Sequence, residues 1–202
     1  MNIIFVGPQG SGKGTQAEII SEKLKIAHIS TGDLLRNVTG DLKDEVRSYI
    51  DKGNLIPDDL MLKILNKRVS EEGCRNGFIL DGYPRNLAQA KTLDTMIDID
   101  KVIEIHITDE ESVRRISGRR ICKKCGKIYN VNSSPKPKVE GVCDVDGSEL
   151  YQREDDNEEA LRKRLKIYHE ETEPILKHYD SIRIDGNQDI ERVTKEILEV
   201  LK

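Results

Sequence analysis

Short apolar runs alternate along most of the chain with stretches that keep helical spacing. Ile3 to Val6, Phe78 to Leu80, Val102 to Ile107 and Ile182 to Ile184 read as strands, and His28-Ile29 adds a further short one. The first two runs are too continuously apolar for a sheet with one face in water. Between them, Leu42, Val46, Tyr49 and Ile50 keep the spacing of one helix face, as do Leu62, Leu65 and Val69. Ile190, Val193, Ile197, Val200 and Leu201 form a clear stripe near the end. Asp58 after Pro57 reads as a helix start, and Gly73 as a stop. This alternation predicts an α/β fold, a doubly wound parallel sheet covered by helices on both faces.

Two segments break the rhythm. From Ser30 to Ile56 there are two helical patterns and no strong strand between them. From Gly118 to Asp156 the chain is rich in turn residues and poor in large apolar side chains, too little to form a core unaided. Such an insert needs a staple, and three of the four cysteines lie inside it.

Composition narrows the possibilities. The chain has 202 residues, enough for one substantial domain with inserts. Hydrophobic residues make up 36%, and 33 Lys+Arg oppose 37 Asp+Glu for a net charge of −4. That balance argues for a folded core and against a general nucleic-acid binder. The apolar run at Ile3 is far too short for a signal peptide or a membrane span. The protein is therefore expected in the cytoplasm, with no membrane partner and with its thiols reduced, so the cysteines point to metal before disulfides. Cys122-x2-Cys125 followed by Cys143-x2-Asp146 matches a tetrahedral zinc ribbon in which a carboxylate replaces the fourth thiolate. Asp144 is the competing carboxylate, but two intervening residues favour Asp146. A full set of protein ligands leaves no open position, so the Zn2+ is expected to be structural. Cys74 stands alone and reads as an inert thiol.

The strongest local signal follows the first strand: Gly7-Pro8-Gln9-Gly10-Ser11-Gly12-Lys13-Gly14-Thr15. Glycines let successive backbone N–H groups converge on phosphate oxygens, and a helix N-terminus points at the same place. Lys13 adds a mobile charge for the outer phosphates and Thr15 a hydroxyl near the metal; Gly14, not a hydroxyl residue, directly follows the lysine. Asp81 ends an apolar strand where open α/β sheets bind ligands, and is suited to hold Mg2+ through water. Arg85, four residues on, is expected to face the same cleft. A basic run from Arg114 to Lys127 contains no acidic residue, and Arg119 within it sits at the insert boundary. Arg164 flanks the stripe of Leu161, Leu165 and Tyr168, a position that calls for an anionic partner.

Gly-Lys-Gly-Thr resembles the phosphate loop of the adenylate kinase family. Thr31-Gly32-Asp33-Leu34-Leu35-Arg36 resembles that family's first AMP-binding segment, and Asp81-Gly82-Tyr83-Pro84-Arg85 with Gln89 resembles the second. Gly118-Arg119-Arg120 and Arg153-Glu154-Asp155-Asp156 resemble the two ends of its lid, Arg162-Lys163-Arg164-Leu165 the helix beyond, and Asp185-Gly186-Asn187-Gln188 the last adenine-side loop. The resemblance implies a P-loop kinase core over residues 1–29, 57–117 and 157–202. It also implies an AMP-binding insert over 30–56 and a zinc-binding lid over 118–156. It implies transfer of the terminal phosphoryl group of MgATP to AMP, giving ADP, with AMP held by Thr31, Arg36, Asn54, Leu55, Ile56, Gly82, Tyr83, Pro84, Arg85 and Gln89. ATP would be held by Gly10, Ser11, Gly12, Lys13, Gly14, Thr15 and Arg119, its adenine near Ile128, Tyr129 and Gln188. Lys13, Arg85, Arg119, Arg153 and Arg164 would compensate phosphate charge, the last two at the AMP side as well. The enzyme is expected to be a monomer, since no apolar helix face is left over. Rivals are a kinase for UMP, CMP or GMP and, from another class, an ATP-switched zinc-ribbon protein that binds nucleic acid. Net acidity and the lack of aromatic side chains for base stacking near the basic run count against the latter.

Overall fold

The structure, a computed structural model, describes residues 1–40, 42–50, 56–153 and 156–202. Its centre is a parallel sheet of β1 (Asn2–Val6), β2 (Ala27–Ser30), β3 (Phe78–Asp81), β4 (Lys101–His106) and β8 (Ile182–Asp185), in the order β2-β3-β1-β4-β8. The period-two alternation of a strand sorts its side chains onto two faces. Ile3 and Phe5 of β1 pack with Ala17, Ile20, Ile105, Val193 and Ile197, while Ile4 and Val6 pack with Met61, Leu65, Leu80 and Tyr168. One face is thus covered by α1 (Lys13–Leu24) and α9 (Ile190–Val200). The other is covered by α4 (Asp58–Val69) and, at its border, α5 (Leu87–Asp94). Burial on both sides is why these strands carry apolar runs and not an alternating pattern.

Between β2 and α4 lie α2 (Thr31–Asn37) and α3 (Leu42–Ile50), whose Leu34, Leu35, Leu42 and Val46 gather on Leu60 and Ile64 of α4. Beyond β4 the chain forms α6 (Asp109–Ser117) and then a separate antiparallel sheet. That sheet has the order β6-β5-β7 and comprises β5 (Arg119–Cys122), β6 (Ile128–Asn130) and β7 (Leu150–Tyr151). The chain returns through α7 (Glu158–Ile167), a widened π-type turn over Tyr168–Thr172, and α8 (Pro174–His178).

Two local expectations need correction. The helix opened at Asp58 stops at Val69 and not at Gly73: Ser70 caps it, donating its backbone N–H and its hydroxyl to Asn66 O, and Gly73 sits in a short 3-10 turn, Glu72–Cys74. The stripe that α4 buries is Leu60, Met61, Ile64 and Leu65, with Leu62 and Val69 at its margin. Leu60 and Ile64 are claimed by the α2–α3 insert, which shifts the buried face away from the sheet alone.

Candidate active site

Every strand of the central sheet points the same way, so the loops after β1, β2, β3, β4 and β8 gather at one rim. The loop after β1 is the glycine-rich one. At Gly7 a Cβ would lie 2.3 Å from Ile105 O, so only glycine allows β4 to pass this close. Gly12, with φ +97, is the N-cap of α1 in a left-handed conformation that glycine adopts without strain. Inside this loop Lys13 Nζ donates to Gly7 O at 2.6 Å and Pro8 O at 2.9 Å. Burial lowers the ammonium's pKa from 10.5 to about 8; Asp81 opposes the shift, and the charges of Arg85 and Arg119 add to it. Arg85 is likewise held below its ordinary value, first by loss of hydration and then by Arg164, with Asp81 opposing. Lys13 and Arg85 thus both feel Asp81, with Arg119 acting on the first and Arg164 on the second.

Asp81 is at the carboxyl end of β3, its Oδ2 3.4 Å from where a side chain on Gly14 would begin and 3.7 Å from His28 Nε2. Thr31, 2% exposed, donates its hydroxyl to the carbonyls of Asp81 and Gly82 and so joins the first turn of α2 to the loop after β3. In that loop Tyr83 is buried among core residues, and Pro84 is buried beside it. Arg85 reaches the cleft's mouth with its Nε donating to Gly82 O. Gln89 does not face open space: its Oε1 accepts from Arg85 N–H at 2.7 Å and its Nε2 donates to Asp58 Oδ1 at 2.6 Å. Ile56 packs against the insert and α4. Arg36 belongs to α2, but its side chain lies outside the described residues, as do Asn54 and Leu55.

On the opposite side, Arg119 begins β5 and makes a two-pronged ion pair with Asp156, whose side chain is fully buried. The pair joins the two points at which the small sheet meets the core. Arg153 is half-buried nearby, its carbonyl accepting from Asp156 N–H. Gln188 Nε2 donates to Asp185 O and Glu196. Ile128 is exposed at 40%, whereas Tyr129 is 1% exposed and turned into the small sheet's own core. Tyr129, expected beside the ATP adenine, therefore offers a nucleotide almost no surface, because its ring fills the small sheet's core.

Two supports of the loop carry no sequence motif. Ser112 of α6 donates its hydroxyl to Gln9 O. Arg115, fixed by Glu111, donates to Gly186 O at 2.8 Å and Gly10 O at 3.4 Å, bridging the loops after β1 and β8. Only the Glu111–Arg115 spacing, one turn apart on a helix, hints at them.

In the small sheet one ligand atom each from Cys122, Cys125, Cys143 and Asp146 lie within 4.8 Å of one another. Cys125 and Cys143 Sγ are 3.6 Å apart, and Cys122 Sγ is 3.5 Å from Asp146 Oδ1. A tetrahedral zinc with bonds of about 2.3 Å separates two sulfur ligands by about 3.8 Å, so this donor set can hold zinc. Ser148 N–H holds the Asp146 carboxyl well below the usual range, keeping it an anion.

A model of the adenylate kinase family matches residues 5–184. The chain belongs to that family. The adenylate kinase of Caldicellulosiruptor bescii is 47% identical to it over an alignment covering 100% of this chain and 99% of that protein. That of Thermosipho africanus is also 47% identical, with 100% of both chains covered. The adenylate kinase of Staphylococcus epidermidis is 45% identical over 100% of this chain and 99% of its own. For an adenylate kinase, the rim just described is the natural seat of the chemistry, because nucleotides in open α/β sheets bind beyond the carboxyl ends of the strands.

Proposed function

We propose that the chain transfers the terminal phosphoryl group of MgATP to AMP in line and reversibly, with no phosphoenzyme. The observation that carries this reading is the glycine-rich loop folded around Lys13 at the carboxyl rim of the sheet, with Asp81 beside Gly14 and the charges of Arg85 and Arg119 close enough to act on Lys13. Phosphoryl transfer asks a protein for alignment and charge compensation more than for covalent work. The amides of Gly10 to Thr15 receive the ATP phosphates. Lys13 exchanges its backbone carbonyl partners for phosphate oxygens and follows the group in transit. Arg119 and Arg153 approach from the segment 118–156, which acts as a lid, and Arg85 and Arg164 hold the acceptor phosphate.

AMP lies against Thr31, Arg36, Asn54 to Ile56 and Gly82 to Arg85, in the 30–56 insert and the loop after β3. Gln89, bonded to Arg85 N–H and Asp58, borders its base. The ATP adenine lies by Ile128 and Gln188, near the buried Tyr129. Magnesium, when bound with ATP, supplies neutralising charge, and Asp81 holds its water shell. Zinc on Cys122, Cys125, Cys143 and Asp146 gives the lid the fixed shape that its few apolar residues do not. Closure of lid and insert excludes water from the cleft. The chain works as a monomer in the cytoplasm. Among the described residues no helix is long and apolar enough to cross a membrane.

The deciding experiment is an acceptor screen at fixed MgATP with AMP, GMP, UMP and CMP. AMP leads clearly in this reading. A preference for UMP or CMP would move the acceptor assignment to pyrimidines while leaving the phosphate-handling roles in place.

A further inference from the structure

We propose that Thr172 is a positioning residue for Arg85, acting on it through the backbone. The inference rests on the reading of Arg85 as a phosphate clamp.

Arg85 sits in a loop without regular structure, between the end of β3 and the Asn86 cap of α5. The preceding residue is Pro84, which has no N–H to anchor it. Two side chains take over that task. Gln89 Oε1 accepts from Arg85 N–H at 2.7 Å, and Thr172 Oγ1 donates to Arg85 O at 2.7 Å. The first anchor is local, four residues along. The second comes from 87 residues away in sequence. Both peptide groups flanking the Arg85 Cα are therefore fixed.

Thr172 closes the widened turn after α7, in which Glu173 N–H bonds back to Tyr168 O at 2.8 Å. A helical threonine commonly turns its hydroxyl to the carbonyl three or four residues earlier, and here it reaches a distant loop instead. Tyr168 at the start of the turn is 5% exposed and packs with Leu80 and Tyr83, so the turn is seated against the same β3 segment. π-type turns inside helices recur at functional sites because they re-aim a side chain. The turn that continues α7, the helix that carries Arg164, thus holds the Arg85 backbone. Threonine suits this work, since its branched Cβ leaves few rotamers and the donor stays aimed.

The test is a cycle of Thr172→Val, Thr172→Ser, Arg85→Lys and the Thr172→Val/Arg85→Lys pair, each read for kcat, both KM values and melting temperature. Thr172→Val keeps shape and removes the donor; a misplaced clamp should lower kcat about ten-fold, by analogy with small misalignments elsewhere. KM for ATP should stay within about two-fold, because uniform binding is untouched. Thr172→Ser restores the rate, which a purely steric role would not require. In the Arg85→Lys background, Thr172→Val should cost nothing further. Thr172→Val at full rate, or an equal loss in both backgrounds, overturns the inference alone. An Arg85→Lys enzyme at full rate overturns the clamp reading, and the inference falls with it. If Thr172→Val melts early, Thr172→Ala takes its place in the cycle with the same outcomes.

Discussion

Lys13 is bonded to the carbonyls of Gly7 and Pro8, with a pKa lowered to about 8. Below pH 8 the cost of burying its charge is fully present. Between pH 8 and 10.5 the unfolded chain binds the extra proton, so this group's contribution to stability rises with pH. Phosphates reverse the preference. ATP binding near pH 9 should therefore take up a proton, and ATP affinity should weaken as pH rises through 8. Calorimetry in two buffers of different ionisation enthalpy measures the uptake, and Lys13→Met should abolish it. The same substitution should lower turnover on the order of 10²-fold or more while the fold is kept and, with the buried charge gone, the melting temperature does not fall. Lys13, Asp81, Arg85 and Arg119 are legible in the sequence because phosphate chemistry demands those residue types beside glycines and strand ends. Ser112, Arg115 and Thr172 are not, because each acts on a backbone atom far away in sequence, and a carbonyl leaves no mark on residue identity. Gln89 falls between: its type suits a base, yet in this structure its amide is taken by Arg85 and Asp58.

Among the elements, the 118–156 sheet departs most from what periodicity can show. Its strands are three or four residues or shorter, and its core is Cys122, Tyr129, Cys143 and Leu150. Sulfur positions stand in for an apolar stripe, so cysteine spacing shows the insert while hydropathy does not. Zinc removal by a chelator, or Cys143→Ser, should lower the melting temperature and open the lid amides to hydrogen exchange. Activity at temperatures where the lid stays folded should be largely kept, and elemental analysis reports the metal directly. Asp156→Asn should loosen the same element by roughly 1.5–3 kcal/mol, the range for a hydrogen bond to a charged group; lid exchange rates give the figure. Helix α6 carries its own pH signature. Hydrogen bonds from Arg114 and Arg115 lower the Glu111 pKa from 4.5 to about 2. The folded carboxyl is the stronger acid, so its stabilisation is full above pH 4.5 and lost as pH falls toward 2. Glu111→Gln should flatten the acid limb of a stability–pH curve, measured by urea unfolding.

For the whole molecule, the central sheet was readable because burial on both faces wrote itself as Ile3 to Val6 and Phe78 to Leu80. Strand order was not readable, since parallel partners such as Glu104 and Arg183 are brought together only by the crossover path. The lid has a core of its own and returns to the body where it left, at the Arg119–Asp156 pair. Replacing 118–156 by a short glycine linker should therefore leave a cooperatively folding core, seen by circular dichroism. Phosphoryl transfer should drop by about 10²-fold or more, because Arg119 and Arg153 leave with the lid. The common direction of the strands also decides where a label can be attached. One rim is crowded with groups that answer to nucleotides. The opposite rim includes the exposed turn Glu71 to Gly73, with open space beside Gly73. A reporter dye or surface tether attached at that turn would sit at the amino end of the sheet, away from the glycine-rich loop.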